Sequence, residues 1–248
     1  MRKRPWLFYG WIVLACAMTI VAISSGTRFS FGVILKPLTE QFGWDRASVA
    51  FIASISVLIS GLLQPALGWL GDRWGPKVIL AYGLLMLGGG MILTSFSTSL
   101  WHFYLAYGVL CGLGFAATLQ VVASSLVSSW FTRRRGFVLS LIGSGGAIGE
   151  LLVVPLMMLL VLAFGWAAYY RIAAVITLAG LLPIVVLFIR NTPEEIGLAP
   201  DGDDSPAGTR VRGVGEREQT GARAAPSSSL RQAIHTASAW ALLYAGFA

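Results

Sequence analysis

The chain has 248 residues, of which 56% are hydrophobic and only 12% are charged, and its formal net charge is +7. Because a soluble domain carries about 25% charged residues, this composition excludes an ordinary water-soluble fold. The basic residues stand in short clusters between apolar runs, which excludes a nucleic-acid-binding face and is typical of topology signals. The apolar runs are continuous rather than alternating, so we predict an all-α membrane protein embedded in a lipid bilayer.

Six apolar segments are each long enough to cross a bilayer, which requires about 20 helical residues. Residues 78–132 hold no charged side chain and would be roughly 80 Å long as one helix. This stretch must therefore turn back once, and Ser95–Ser99 is the natural place. A second tight turn is predicted at Gly165. The predicted spans are 9–35, 47–70, two within 78–132, 136–164 and 167–189.

Polar connections separate these spans. After the first span we expect a loop that contains Lys36, Glu40, Asp45 and Arg46, and after the second a loop over residues 71–77. Gly-xxx-Gly spacings at Gly108/Gly112 and Gly145/Gly149 place small residues on one helix face, where backbones can approach closely.

The sequence predicts three regions. Residues 1–190 form a six-helix transmembrane bundle. Residues 191–229 are rich in Gly, Pro, Ser and mixed charge, which predicts a solvated linker. Residues 230–248 begin a seventh transmembrane helix, whose apolar run is too short for a complete crossing. Two isolated cysteines and two isolated histidines provide no metal-ligand spacing, so we expect no metal and no cofactor.

Lys and Arg are distributed unequally over the two ends of the predicted bundle. One end holds Arg2, Lys3, Arg4, Arg73, Lys77, Arg133, Arg134, Arg135 and the linker arginines. The other end holds Lys36, Arg46 and Arg171. The positive-inside rule places the N-terminus and the linker in the cytoplasm. We therefore expect a multi-pass protein of the plasma (inner) membrane.

The most specific motif lies between the second and third spans, where residues 68–77 read GWLGDRWGPK. Its glycines predict a tight turn beside an Asp at a helix end. That carboxylate can accept hydrogen bonds from free N–H groups or pair with a base, and such contacts can break and re-form as two bundles rock. The alternative is a plain positive-inside loop. The motif residues are Gly68, Asp72, Arg73, Gly75 and Lys77.

This motif resembles the loop signature of the major facilitator superfamily, although Pro76 stands where that family usually has a base. Three further segments resemble its monocarboxylate-transporter-like and oxalate–formate branch: YGW at residues 9–11, FGWDR at 42–46 and WFTRRRG at 130–136, which holds the basic cluster Arg133, Arg134 and Arg135. The resemblance implies a fold of two six-helix bundles, of which this chain holds the first and the start of the next helix.

Two charges inside the spans are informative, because an ionisable group at membrane depth usually faces a cavity or a partner. Arg28 stands about 25 Å above Trp11, and Glu150 about 21 Å above Gly136, if both helices are regular. We expect similar depths and interior positions for both. Arg28 could hold a substrate carboxylate through its fork of donors, and Glu150 could exchange a proton. The alternatives are a fixed ion pair that orients two helices and, for Arg28, snorkelling to the surface.

Gln64 and Gln120 are the other polar side chains deep in the spans. Each is a candidate to line a transport pathway, and interhelical hydrogen bonding is the alternative role.

Together these features predict a secondary carrier of small organic anions such as monocarboxylates, working by proton symport or anion exchange. Its expected partners are the bilayer, the anion, protons, and either the missing second bundle or a second copy. An enzyme is not expected, because the spans hold no nucleophile–base pair or metal cluster. A non-transporting membrane sensor or assembly protein, or an inactive transporter fragment, is the open alternative.

Overall fold

The computed structural model describes residues 9–198, and this range is entirely helices and short turns. Six of its helices are long and apolar enough to cross a membrane, which confirms the predicted all-α bundle. They are α1 (Tyr9–Phe42), α2 (Arg46–Trp74), α3 (Pro76–Ser95), α4 (Leu100–Ser128), α5 (Arg135–Phe164) and α6 (Trp166–Phe188). The predicted start of a seventh helix and most of the predicted linker lie outside the described residues.

The turns at Ser95–Ser99 and Gly165 fall where the sequence predicts them. Helix α3 ends at Ser95 and α4 begins at Leu100. Gly165 is the one residue between α5 and α6, and its φ of 81° lies in the left-handed region that favours glycine.

The predicted start of the loop after the first span is wrong. Helix α1 is broken at Ser30 but continues to Phe42, so Lys36 and Glu40 lie on the helix rather than in a loop. Their side chains pair one turn apart, with Lys36 Nζ 3.7 Å from Glu40 Oε1. Such an i,i+4 pair is compatible with an exposed helix end. Only residues 43–45 connect α1 to α2, and the Asp45 carboxylate accepts the Ala47 N–H at 3.0 Å.

The expected loop over residues 71–77 is also much shorter. Helix α2 continues through the motif to Trp74, and α3 begins at Pro76. Proline is well tolerated at the first position of a helix, because its missing N–H has no intrahelical acceptor there. Gly75 alone makes the turn.

Small residues bring the helices together, as their spacing predicts. Helices α1 and α5 run parallel, and a side chain at Gly149 would overlap the backbone carbonyl of Ala22. Helices α2 and α4 meet at Gly112, where an added Cβ would lie 3.2 Å from the backbone of Ser56. Close backbone contact replaces the hydrophobic effect as the source of packing energy between helices in lipid.

Two buried clusters occupy the two ends of the bundle. One packs the first half of α1 against the second halves of α4 and α6, around Trp130 and Phe131. The other packs the second half of α1 against the start of α4 and α6, around Phe103 and Tyr170. We call these the Tyr9 end and the Trp166 end of the bundle.

Candidate functional site

A cavity of about 740 Å³ lies between α1, α2, α4 and α5, near the middle of the bundle. It holds three of the four predicted pathway residues, Gln64, Gln120 and Glu150. The complete lining is Val21, Ser25, Gln64, Leu119, Gln120, Val121, Ser124, Gly143, Gly146, Ala147 and Glu150. Glu150 is the ionisable side chain on this wall, and its carboxylate makes no hydrogen bond or ion pair within residues 9–198.

Arg28, the fourth predicted residue, does not line the cavity. It lies on the same face of α1 as Val21 and Ser25, one turn beyond Ser25 toward the Trp166 end. Arg28 is half-buried, and Tyr107 Oη donates a hydrogen bond to its backbone carbonyl at 3.4 Å. Its guanidinium makes no hydrogen bond or ion pair with the described residues.

The structure does not bring Arg28 and Glu150 together as an ion pair, and their depths differ more than the sequence suggests. The contact of Gly149 with Ala22 sets Glu150 level with Ile23. Arg28 is five residues farther along α1, which is about 7.5 Å of helix. A fixed ion pair between them is therefore absent from this conformation of the described residues.

Two glycines of α5 shape the cavity wall. A Cβ added at Gly143 would lie 3.2 Å from Gln120 Nε2, and one added at Gly146 would lie 3.3 Å from Ser25 Oγ. Both distances are tighter than ordinary van der Waals contact, so larger residues would press on these two polar groups. Glu150 follows one turn beyond Gly146 on the same helix face.

Helix α4 is interrupted where it borders the cavity. Its first part ends at Thr118, Leu119 has an extended ψ of −172°, and a second segment runs from Gln120 to Ser128. Leu119, Gln120 and Val121 all face the cavity. The sequence gives little warning of this break, because no proline or glycine stands at it.

The loop motif makes contacts that the sequence does not predict, and Asn191 is their centre. Its side-chain oxygen accepts the backbone N–H of Lys77 at 2.9 Å, while Ser129 Oγ donates to its backbone carbonyl at 2.8 Å. Gly75 has φ 88° and would place an added Cβ 2.8 Å from the Asn191 amide. Asn191 therefore joins the start of α3 to the ends of α4 and α6.

The other motif residues take simpler positions. Gly68 faces Val121 of α4, with 3.8 Å between an added Cβ and the valine methyl. The Arg73 guanidinium lies 5.8 Å from the centroid of the Trp69 ring, a cation–π distance. Asp72 is exposed and makes no ion pair or hydrogen bond with the described residues.

The basic cluster is exposed at the Tyr9 end of the bundle, where Arg133 and Arg134 precede α5 and Arg135 is its first residue. The Tyr9 end also carries Arg73 and Lys77. The unequal distribution of basic residues over the two ends, read from the sequence, is thus kept in the folded bundle.

Comparison with known proteins identifies a matching family and several relatives. The sequence model of the Major Facilitator Superfamily matches residues 5–248. Human monocarboxylate transporter 11 is 30% identical over 184 residues, covering 72% of this chain and 39% of the human protein. Human monocarboxylate transporter 12 is 30% identical over 194 residues, with 75% and 37% covered. The MFS-type transporter YcxA of Bacillus subtilis is 26% identical over 183 residues, with 74% and 45% covered. The chain thus spans less than half the length of each of these relatives.

Proposed function

Because the chain belongs to the Major Facilitator Superfamily, we propose that it forms one helical bundle of a secondary carrier for small organic anions such as monocarboxylates. Its relatives are named as transporters, and it is an integral multi-pass membrane protein rather than an enzyme. The cavity of about 740 Å³ between α1, α2, α4 and α5 carries the proposal. This volume is within the range of small-molecule sites in proteins, and the lining mixes apolar walls with a few polar groups.

Glu150 is the residue that we propose to bind and release a proton during transport. It lies on the cavity wall, and an unpaired carboxyl group at membrane depth is a common element of proton relays. Proton symport would use this residue in every cycle. Anion exchange would leave it as a group that tunes the charge of the cavity.

Arg28 is proposed as the cation that the anion meets at the Trp166 end of the cavity. Its guanidinium is available, and its fork of donors matches a carboxylate. A long side chain one turn beyond Ser25 can extend toward the cavity mouth as the helices move.

Alternating access around a central site requires two bundles. We propose that the second bundle comes either from a continuation of the chain or from a second copy. The exposed basic residues at the Tyr9 end support an orientation with this end in the cytoplasm, in a plasma (inner) membrane.

The test is uptake of labelled pyruvate by the full 248-residue chain reconstituted into vesicles. A proton gradient that drives uptake supports symport, whereas dependence on pyruvate loaded inside the vesicles supports exchange. We expect Glu150→Gln to abolish the gradient-driven component. We expect Arg28→Ala to lower uptake and Arg28→Lys to restore part of it, because a point charge cannot bind a carboxylate bidentately.

Lys36→Ala provides the control, since its cation lies on an exposed helix end away from the cavity and pairs there with Glu40. This variant should transport like the wild type. Full transport by all three Arg28 and Glu150 variants would remove both proposed roles. Absence of uptake under every gradient would exclude a second copy as the source of the second bundle. It would leave a carrier that needs a continuation of the chain, or a non-transporting sensor or assembly protein.

A further inference from the structure

We propose that the break in α4 at Leu119 is a binding subsite for the carboxylate group of the anion, with Ser25 and Gln120 as its side-chain donors. The proposal rests on the proposed function, because it assigns the charged group of the substrate to one place within the same cavity. In the proposed function, the anion meets Arg28 at the Trp166 end of the cavity. The subsite at Leu119 requires no cationic side chain.

The interrupted helix provides the first argument. The segment Gln120–Ser128 has nine residues and begins inside the bundle, at the cavity wall. The first N–H groups of any helix have no acceptor within that helix. The aligned peptide dipoles also place partial positive charge there, so a helix N-terminus favours an anion. Broken helices at the centre of membrane carriers are tolerated where they line a cavity.

Ser25 provides an independent argument from a different helix. It is only 7% exposed, and the surface it retains faces the cavity. Its hydroxyl makes no hydrogen bond within the described part of the chain. The Ser25 oxygen is not one of the fully enclosed unpaired polar atoms of the described residues, so it can be reached from the cavity. A ligand oxygen in the cavity would satisfy this hydroxyl.

The wall of α5 keeps the space between these donors open. The Cβ positions of Gly143 and Gly146 lie 3.2 Å from Gln120 Nε2 and 3.3 Å from Ser25 Oγ. These glycines are three residues apart, so the amide and the hydroxyl stand over adjacent turns of α5. Side chains at the two positions would occupy the space that a carboxylate needs.

The charges around the cavity explain why neutral donors and a helix end are required. Glu150 lies one turn beyond Gly146, and no Lys or Arg is among the described lining residues. A carboxylate in this cavity is therefore held by N–H and O–H donors and by the dipole of the α4 segment, on the side of the cavity defined by Gly143 and Gly146.

The test measures anion binding to the full 248-residue chain in lipid nanodiscs, with benzoate as the probe. Binding is followed as the concentration-dependent rise of the thermal unfolding midpoint, which reports a ligand of the folded state. Neutral benzamide and cationic benzylammonium are the chemical controls. Gln120→Glu is isosteric and places a carboxylate at the subsite, and Ser25→Ala removes one donor. Ser144→Ala is the matched control, because Ser144 is an exposed serine of α5 that donates to Leu141 O.

We expect benzoate, but neither control compound, to stabilise the wild type. We expect Ser25→Ala to weaken benzoate about tenfold or more, since a hydrogen bond to a charged group is lost, and Gln120→Glu to abolish its binding. Ligand-free midpoints close to the wild type show that the variants are folded. Unchanged affinity in both folded variants would overturn the subsite and leave the proposed function standing. Equal binding of benzylammonium would contradict the helix-dipole argument. Failure of benzoate to bind the wild type would contradict both the subsite and the proposed function.

Discussion

The contact between α1 and α5 yields a quantitative prediction for Gly149→Ala. A methyl group there would overlap the backbone carbonyl of Ala22, and a backbone atom cannot move aside by rotamer change as a side chain can. Overpacking of this kind costs typically about 1–3 kcal/mol, and the gain in helix propensity offsets about 1 kcal/mol of it. We therefore expect a net loss of up to about 2 kcal/mol in the free energy of unfolding, and a larger loss for Gly149→Val.

Gly61→Ala is the matched control, because a Cβ at this exposed position of α2 meets no described atom within 4 Å. It should be neutral or slightly stabilising. The assay is reversible unfolding of the purified chain in detergent micelles by titration with sodium dodecyl sulphate, followed by circular dichroism. If Gly149→Ala were as stable as Gly61→Ala, the parallel contact of α1 with α5 would be wrong, and with it the depth assigned to Glu150.

Three further predictions test the register, the connections and the topology of the bundle. A Met18→Cys/Gly145→Cys pair should form a disulfide on mild oxidation, detected as the loss of two maleimide-reactive thiols. The Cβ of Met18 lies 3.6 Å from the position of an added Cβ at Gly145, and the two Cβ atoms of a disulfide are about 3.5–4.5 Å apart. Asn191→Ala should lower the free energy of unfolding by about 1–3 kcal/mol, since it leaves the N–H that opens α3 without its acceptor; an unfolding midpoint equal to the wild type would contradict its central position. A thiol at Thr98→Cys should react with an impermeant maleimide on intact cells, and one at Arg134→Cys only after permeabilisation; reaction of both from one side would contradict the assigned crossings.

The number of helices could be predicted from the sequence because apolar length and charge are local properties. The chain must cross the bilayer wherever about 20 apolar residues follow one another. The helix ends were harder to predict. Lys36 and Glu40 suggested a loop by their charge, yet they pair on one helix face. The motif around Asp72 suggested a loop by its composition, yet a single glycine suffices for the turn.

The candidate site likewise contains residues that the sequence could identify and residues that only the tertiary structure reveals. Gln64, Gln120 and Glu150 could be selected as candidates from the sequence, because polar side chains inside apolar spans usually face a cavity or a partner. The structure places all three on the wall of one cavity. Ser25 is too common a residue to be singled out, and only its burial and position distinguish it. The break at Leu119 carries no proline or glycine signal, and Asn191 depends on tertiary contacts between distant segments. The separation of Arg28 from Glu150 depends on how far α1 is shifted along α5. Residue spacing within a single helix does not determine this shift, which is set by contacts such as that of Gly149 with Ala22.

The most direct test of the account is whether the space between α1, α2, α4 and α5 is a water-filled chamber that binds organic anions. A cysteine is placed at Ser124, which lines the cavity, and in a matched variant at Ser125, which is exposed on another face of α4. Both variants lack the native Cys16 and Cys111 and are studied in membranes with a negatively charged methanethiosulfonate reagent. The account predicts that the reagent modifies Ser124→Cys much faster than Ser125→Cys and that benzoate slows this reaction. Equal reactivity of the two thiols, or a rate at Ser124→Cys that benzoate does not change, would contradict it.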